Sequence, residues 1–124
     1  VIADAWRYSA FSGSEEPDAL AHTPILDAFR SESFDFARCY AAYPLCTPSR
    51  ISIQSGLYTS RHNVTKNGGP LAVGTRTMGT TFSALGYDTA FFGKWHVGGD
   101  GYGSANAMKI VTTPHRHGFN HWEQ

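Results

Sequence analysis

The sequence predicts an α/β fold, a sandwich in which helices flank a mixed, largely parallel β-sheet. Short apolar runs typical of strands alternate along the chain with patterns typical of amphipathic helices, and loops rich in glycine and proline separate them. With 41% hydrophobic and 14% aromatic residues, the 124 residues can bury the core of one modest domain. Ligands of such folds bind beyond the carboxyl ends of the strands, so polar residues that follow a strand are candidate site residues.

The first third of the chain contains one predicted helix between two extended segments. Val1 to Ala3 have the pattern of the last residues of a buried strand. Thr23 is a candidate N-cap, and the proline after it suits the first helical position, so we predict a helix from Pro24 to about Ser33. The aromatic and small residues from Phe34 to Tyr43 favour a strand or an extended segment.

Two prolines then bracket the most informative part of the sequence. Pro44 and Pro48 predict a turn, and Cys46 lies between them on that turn. After Pro48, apolar residues at positions 51, 53 and 57 with polar residues between them indicate a helix. Gly56 inside this pattern weakens the helix near its end.

The remainder of the chain continues the alternation. Glycines and a proline predict that residues 61–75 are mostly loop. A helix is predicted from Thr77 to Leu85, and Gly86 is a good stop signal. A strand from Tyr87 to Phe92 and a glycine-rich loop over residues 93–103 follow.

Composition excludes several classes of protein. The ten basic and ten acidic side chains give a formal net charge of zero, which predicts neither a nucleic-acid nor a membrane-surface partner. No apolar run approaches the roughly 20 residues that span a bilayer. The two cysteines, Cys39 and Cys46, are too few for a disulfide framework.

Charged and nucleophilic residues occupy positions where an active site is expected. Asp4 follows the first predicted strand, and Lys94 and His96 follow the last. Cys46 and Arg50 lie at a predicted helix start, where free N–H groups and the helix dipole favour anions. We therefore expect the five side chains to converge at one rim of the sheet. Each also has a plain structural interpretation, such as a buried cysteine, a solvated helix arginine or a turn aspartate.

Three histidines near the end of the chain suggest an alternative site. His115, His117 and His121, with Glu123, could ligate zinc. No cysteine is placed to complete a convincing set of ligands, so surface or interdomain histidines are the preferred interpretation.

Several motifs together resemble one enzyme family. Cys46-Thr47-Pro48-Ser49-Arg50 matches the Cys-x-Pro-Ser-Arg signature of formylglycine-dependent sulfatases, which belong to the alkaline phosphatase superfamily. The rest of the chain is similar to the family in the same order, in the segments Ala3-Asp4-Ala5-Trp6-Arg7, Thr23-Pro24-Ile25-Leu26-Asp27, Gln54-Ser55-Gly56-Leu57-Tyr58, Gly86-Tyr87-Asp88-Thr89-Ala90, Gly93-Lys94-Trp95-His96 and His117-Gly118-Phe119-Asn120. The resemblance thus implies an alkaline-phosphatase-like fold, of which residues 1–124 are the N-terminal part of a catalytic domain truncated at both ends.

The resemblance also implies roles for individual residues. Cys46 matches the cysteine that a maturation enzyme oxidises to formylglycine, whose hydrate attacks the sulfur of a sulfate ester. Arg50 matches the arginine that holds this hydrate. Lys94 and His96 match the pair that contacts the hydrate and the sulfate oxygens, where charged donors stabilise the transition state.

A calcium site is the second implication of the resemblance. Asp4 matches a calcium-binding carboxylate, and the formylglycine at Cys46 is expected to contact the same ion. Many family members have a second aspartate where this chain has Ala5, which has no side-chain ligand. We therefore expect weakened calcium binding.

The sequence thus predicts a sulfuric ester hydrolase that acts on a sulfated small molecule or glycan, most readily a carbohydrate sulfate. A phosphonate or phosphate ester hydrolase of the same superfamily and a non-catalytic, sulfatase-like binding or assembly domain are the alternatives. The isolated 124 residues are expected to be inactive, because further ligands of the family's site come from later in the chain. Exposed surfaces of such a fragment are expected to promote homo-oligomers.

Overall fold

The computed structural model describes residues 2–36, 38–98 and 111–123 of the chain. The chain divides into two compact units, Val1–Cys39 and Tyr40–Gln124. Within the described residues no helix is long and apolar enough to cross a membrane.

The first unit contains a 3₁₀ turn at Tyr8–Ala10 and the helix α1 at Pro24–Ser31. Helix α1 confirms the predicted start, with Thr23 as N-cap and proline in the first turn. The Thr23 side chain does not cap α1; its Oγ1 accepts from the backbone N–H of Ser12 at 3.0 Å. The Ser12 hydroxyl in turn donates to Asp27 Oδ2 at 2.6 Å, which fixes this loop on the first turn of the helix.

The strand predicted at the start of the chain is wrong for the residues that the structure describes. Ile2 and Ala3 lie outside any strand, and Ile2 is 47% exposed. The segment from Phe34 to Tyr43, expected to be a strand or an extended segment, contains no strand among its described residues. A strand requires a neighbour to complete its hydrogen bonds, and the described part of the first unit contains no strand that could pair with these segments. Val1 and Ala37 lie outside the described residues.

In its described residues, the second unit contains three helices and two strands. The helices are α2 at Cys46–Ser55, α3 at Thr59–His62 and α4 at Met78–Ala84. The strands β1 at Ala90–Phe92 and β2 at His121–Glu123 pair in parallel, with Phe91 opposite Trp122. A 3₁₀ turn at Thr113–Arg116 precedes β2. The predicted α/β class and the parallel pairing are confirmed.

Several element boundaries differ from the predictions. Cys46 is the first residue of α2 rather than part of a preceding turn. Pro48 is compatible with this because it lies in the first turn, where its missing N–H has no helical partner to lose. At the other end, Gly56 adopts a left-handed conformation with φ of 69°, and its N–H donates to Ser52 O at 2.8 Å, so it ends the helix. Strand β1 begins at Ala90, later than the predicted Tyr87.

The core of the second unit surrounds Trp95. Its side chain is 2% exposed and contacts the rings of Phe91 at 5.0 Å and Trp122 at 4.9 Å between centroids. Ile51 of α2 is fully buried in the same core cluster. Because Trp95 lies between Lys94 and His96, this packing anchors the segment that carries both candidate site residues.

A close backbone approach joins that segment to the loop after α3. Gly98 N donates to Gly69 O at 3.0 Å, and Pro70 forms a parallel bridge with Gly98. A Cβ atom on Gly98 would lie 2.1 Å from the carbonyl oxygen of Gly68, so this contact requires glycine. Residues 67–70 therefore lie beside residues 94–98.

Candidate active site

Cys46 lies at the exposed end of the second unit's central helix. It is the first residue of α2 and is partly exposed. The N-cap residue, Leu45, makes no side-chain capping bond, but its carbonyl oxygen accepts from Ser49 N at 3.1 Å. The thiol therefore stands where the dipole of a ten-residue helix favours negative charge.

Lys94 is the charged side chain that approaches Cys46. Its Nζ lies 3.7 Å from Cys46 Sγ, although 48 residues separate the two in sequence. Lys94 follows β1 after Gly93, whose φ of 96° turns the chain and whose N–H donates to Glu123 O at 2.9 Å. The expected proximity of Cys46 and Lys94 is thus observed.

Arg50 is held inside the fold rather than in solvent. It is 9% exposed, and its Nη1 donates to the backbone carbonyl of Lys94 at 2.5 Å. The solvated-arginine interpretation is therefore wrong. A buried guanidinium that bonds a backbone carbonyl fixes the position of Lys94, while the predicted contact of Arg50 with the reactive group stays a prediction.

His96 has an uncommon backbone conformation. Its φ is 54°, in the left-handed region that few non-glycine residues adopt, and its side chain is half-buried. Its carbonyl oxygen accepts a hydrogen bond from Oγ1 of Thr47, the residue that follows Cys46 in the chain. The backbone of His96 is thus tied to α2, as is that of Lys94. The predicted contact of the imidazole with substrate stays a prediction.

Two further residues shape this region and were missed by the sequence-based reasoning. Thr47 is fully buried, and besides its bond to His96 its Oγ1 accepts from Gly68 N at 3.0 Å. Asn67 Oδ1 accepts from the backbone N–H of Thr47, also at 3.0 Å. Two signals in the sequence could have indicated these residues. Thr47 has a hydroxyl group that needs hydrogen-bond partners once it is buried, and Asn67 directly precedes a pair of glycines.

His62 packs against the middle of α2. Its Nε2 lies 3.2 Å from Ser52 Oγ, and its Nδ1 accepts from the backbone N–H of Val64 at 3.2 Å. Burial lowers the pKa of His62 below its ordinary value. The neutral ring with its proton on Nε2 satisfies both bonds, so His62 links α2 to the start of the loop that contains Asn67.

Asp4 belongs to the first unit, whereas Cys46, Arg50, Lys94 and His96 belong to the second. Asp4 is exposed, and the next residue, Ala5, has φ of 55°. The expected proximity of Asp4 to Cys46 stays a prediction.

The described residues do not by themselves form a metal site. Among them, no group of three or more His, Cys, Asp or Glu side chains is arranged to hold an ion. Calcium takes roughly six to eight oxygen ligands. Asp4 can supply at most two of them, and the side chain of the neighbouring Ala5 supplies none. The donor set of the described residues therefore does not fit a calcium ion without further ligands.

The alternative zinc site is not formed among the described residues. His115 and His117 have ring centroids 6.5 Å apart, and His117 is buried in the aromatic core. His121 Nε2 instead pairs with Asp88 Oδ2 at 2.9 Å. The bonds from His121 and Asn120 lower the pKa of the exposed Asp88 carboxyl. The histidines thus serve packing and a surface ion pair rather than one metal.

A family comparison accounts for these motifs. The sulfatase family model matches residues 1–123, essentially the whole chain. The chain belongs to the sulfatase family. This agrees with the helix-borne Cys-x-Pro-Ser-Arg motif and with the segment Gly93–His96 beside it.

Individual relatives support the same assignment. This sulfatase-family chain is 33% identical to an ulvan-active sulfatase of Formosa agariphila, over 99% of its own length and 23% of the relative's. It is 30% identical to an N-acetylglucosamine-6-O-sulfatase of Bacteroides thetaiotaomicron, over 83% of its length and 16% of the relative's. It is also 34% identical to the steryl-sulfatase of Mus musculus, over 79% and 17% of the two chains.

A solved structure confirms the fold. The sulfatase-family protein yidJ of Bacteroides fragilis matches with a TM-score of 0.67 and 29% identity, over 82% of this chain and 25% of that one. The predicted alkaline-phosphatase-like α/β class is therefore correct. The chain spans a quarter or less of the length of the relatives it matches.

Proposed function

We propose that the protein hydrolyses sulfate esters, that a formylglycine derived from Cys46 is its reactive group, and that its substrates are carbohydrate sulfates. The observation that carries the proposal is the position of Cys46 at the start of α2 with Lys94 Nζ 3.7 Å from its sulfur. The monoanionic sulfate ester would meet a charged donor and the helix dipole at the position of Cys46.

The residues around Cys46 have separable tasks in this proposal. When formylglycine is formed, its hydrated aldehyde supplies an oxygen nucleophile. Lys94 and His96 contact the hydrate and the sulfate oxygens, which become more negative as the ester bond breaks. Arg50 keeps Lys94 in place through its backbone carbonyl, and it contacts the reactive group only if a second donor of the guanidinium reaches it.

Calcium is part of the proposed enzyme, with Asp4 as one ligand. Its chemistry would be to polarise the sulfate group. Because the described residues supply few oxygen ligands, binding depends on groups beyond them.

The relatives support carbohydrate sulfates as substrates. The names of three bacterial relatives refer to ulvan, to N-acetylglucosamine 6-O-sulfate and to endo-acting 4-O-sulfate removal. Steryl-sulfatases are also among the relatives, so a sulfated small molecule is the alternative substrate class. The proposal includes neither a nucleic-acid nor a membrane partner. It does include self-association of the protein through exposed apolar surface.

The proposal is tested with an activated aryl sulfate in the protein carrying a complete sulfatase domain. Mass spectrometry of the peptide containing residue 46 first measures the conversion of the thiol to an aldehyde. Replacing Lys94 with methionine is expected to lower kcat/KM by about a hundredfold, because a charged donor is lost. Lys66→Met, at an exposed loop lysine, is the matched control and should retain activity.

Three outcomes would contradict the proposal. Unmodified Cys46 with full activity would remove formylglycine from the mechanism. Faster hydrolysis of an aryl phosphate or phosphonate than of the aryl sulfate would instead favour the phosphoester alternative. Absence of all three activities in fully matured protein would favour a non-catalytic domain, an alternative that the missing ligand at Ala5 keeps open.

A further inference from the structure

Helix α2 takes the side-chain cap of its first turn from a distant loop. Its own N-cap residue is Leu45, whose side chain has no acceptor and makes no capping bond. The backbone N–H of Thr47, the second residue of the helix, donates instead to Asn67 Oδ1 at 3.0 Å, across 20 residues of sequence. Asn67 thus performs for α2 the task that an N-cap Ser, Thr, Asp or Asn usually performs.

The two residues after Thr47 do not need a side-chain partner for a backbone N–H group. Pro48 has no N–H, and Ser49 N donates to Leu45 O at 3.1 Å. The Thr47 N–H is a first-turn donor whose partner is a side chain from a distant loop. It adjoins Cys46, so any fraying of this turn moves the reactive position itself.

Asn67 can serve as a fixed cap because its loop is tied at several points. Gly68 N donates to Thr47 Oγ1, and Gly98 N donates to Gly69 O, each at 3.0 Å. The start of the same loop is held through His62, which accepts from Val64 N. The loop therefore carries the Asn67 acceptor to α2 at a defined place, and the amide of Asn67 is oriented by the bond to Thr47.

We propose that Asn67 is a positioning residue for the reactive group at Cys46, and that it acts by capping α2 through the Thr47 N–H. The catalytic part of this inference rests on the proposed function. The structural part does not, because it concerns where the first turn of α2 is held, whatever reaction follows.

Three variants test the proposal in the protein with a complete sulfatase domain. Asn67→Ala removes the acceptor, and Asn67→Asp keeps an oxygen acceptor on a side chain of the same length. Lys66→Ala is the matched control at the exposed neighbouring position. Two readouts need no sulfatase activity, namely hydrogen exchange of the Thr47 amide and alkylation of Cys46 in protein kept in the thiol form. The free, exposed Cys39 is the internal reference for alkylation.

Asn67→Ala is expected to speed exchange of the Thr47 amide about fivefold, which corresponds to loss of one cap. The alkylation rate of Cys46 relative to Cys39 should rise several-fold, because a frayed first turn exposes the sulfur. In matured protein kcat on an aryl sulfate should fall about tenfold with KM little changed, since the reactive group is misplaced but the charged residues remain. Asn67→Asp should restore all three quantities, and Lys66→Ala should leave them unchanged.

The outcomes separate this inference from the proposed function. Exchange and alkylation in Asn67→Ala that equal those of Lys66→Ala overturn the inference, even if the protein is a sulfatase. Unchanged kcat in an active Asn67→Ala enzyme also overturns it. Faster exchange and alkylation that Asn67→Asp reverses, in a protein that hydrolyses no sulfate ester, support the positioning role and reject the proposed function.

Discussion

Around Cys46, side chains of α2 hold backbone atoms of the residues that are proposed to meet the substrate. Thr47 Oγ1 donates to the carbonyl of His96, and Arg50 Nη1 donates to the carbonyl of Lys94. Both donors are buried, so these bonds are protected from competition with water. The helix that carries Cys46 therefore also sets the backbone positions of His96 and Lys94.

Ala5 offers a test of metal binding at a single residue. Its φ of 55° lies in the left-handed region, which aspartate and asparagine adopt more readily than alanine. Replacing Ala5 with Asp should therefore be compatible with the backbone and add a carboxylate beside Asp4. We expect weak calcium binding by the protein and at least about tenfold tighter binding by Ala5→Asp, because each added oxygen ligand favours a hard cation. Titration calorimetry measures both, and tight binding by the unsubstituted protein would contradict the expectation.

His117 makes stability dependent on pH. Burial and the charge of nearby His115 lower the pKa of His117 below its ordinary value of 6.5. As pH falls through 6.5, the unfolded chain takes up a proton that the folded ring resists, so the free energy of unfolding should fall. His117→Asn, which tolerates the φ of 48°, should reduce this pH dependence, leaving the part due to His62. Urea unfolding across a pH series measures it, and an unaltered pH dependence in the variant would refute the assignment.

At the level of residues, sequence patterns predicted that Cys46 and Lys94 lie together but not which residues hold them in place. Cys46 and Lys94 belong to short motifs, and the structure brings their side chains together. Thr47 and Asn67 could not be assigned in the same way, because the role of each depends on a pairing across 20 residues. Such a pairing becomes visible only when the glycine-rich loop is folded against α2.

Helix α4 shows how one cap serves two elements. The Thr77 hydroxyl accepts from Thr80 N at 3.1 Å, and Thr77 N donates to Thr80 Oγ1 at 2.7 Å, which completes a capping box. The same Thr77 hydroxyl donates to His117 O at 2.7 Å. The start of α4 is therefore fixed to the turn that leads into β2.

Replacing Thr77 with valine should destabilise the chain by about 1–2 kcal/mol, because a buried cap and an interelement bond are lost together. Thr77→Ser is the matched control, since it keeps the hydroxyl and should cost much less. The free energies of unfolding come from urea denaturation followed by far-UV circular dichroism. Equal stability of the valine and serine variants would show that the hydroxyl contributes little.

Among the elements, helices α1 and α4 followed from local signals, whereas α3 was not predicted and β1 was predicted with a different start. Thr23-Pro24 predicted the start of α1, and Thr77 with Gly86 delimited α4 to within a residue or two. These signals act within one turn of the chain. The strand predicted at Val1 to Ala3 failed in its described residues, and β1 is shorter than predicted, because strand formation depends on neighbours distant in sequence.

Across the molecule, much apolar surface remains exposed. Leu20, Ile25 and Phe34 are 96%, 81% and 84% exposed, and the sheet of the described residues has two strands. Exposure on this scale is unusual for a soluble monomer and favours association or cover by further protein. It agrees with a chain that spans a quarter or less of its sulfatase relatives.

The 124 residues alone are expected not to turn over sulfate esters, whereas a protein with a complete sulfatase domain is expected to do so. Catalytic groups act as a unit, and the described residues supply Lys94 beside Cys46 but no group of metal ligands. The measurement is hydrolysis of an activated aryl sulfate by both proteins, with the formylglycine content at residue 46 known for each. Adding the remainder of the domain to the short chain should restore activity. Robust turnover by the short chain, abolished by Cys46→Ala, would mean that these residues already contain every group the reaction requires.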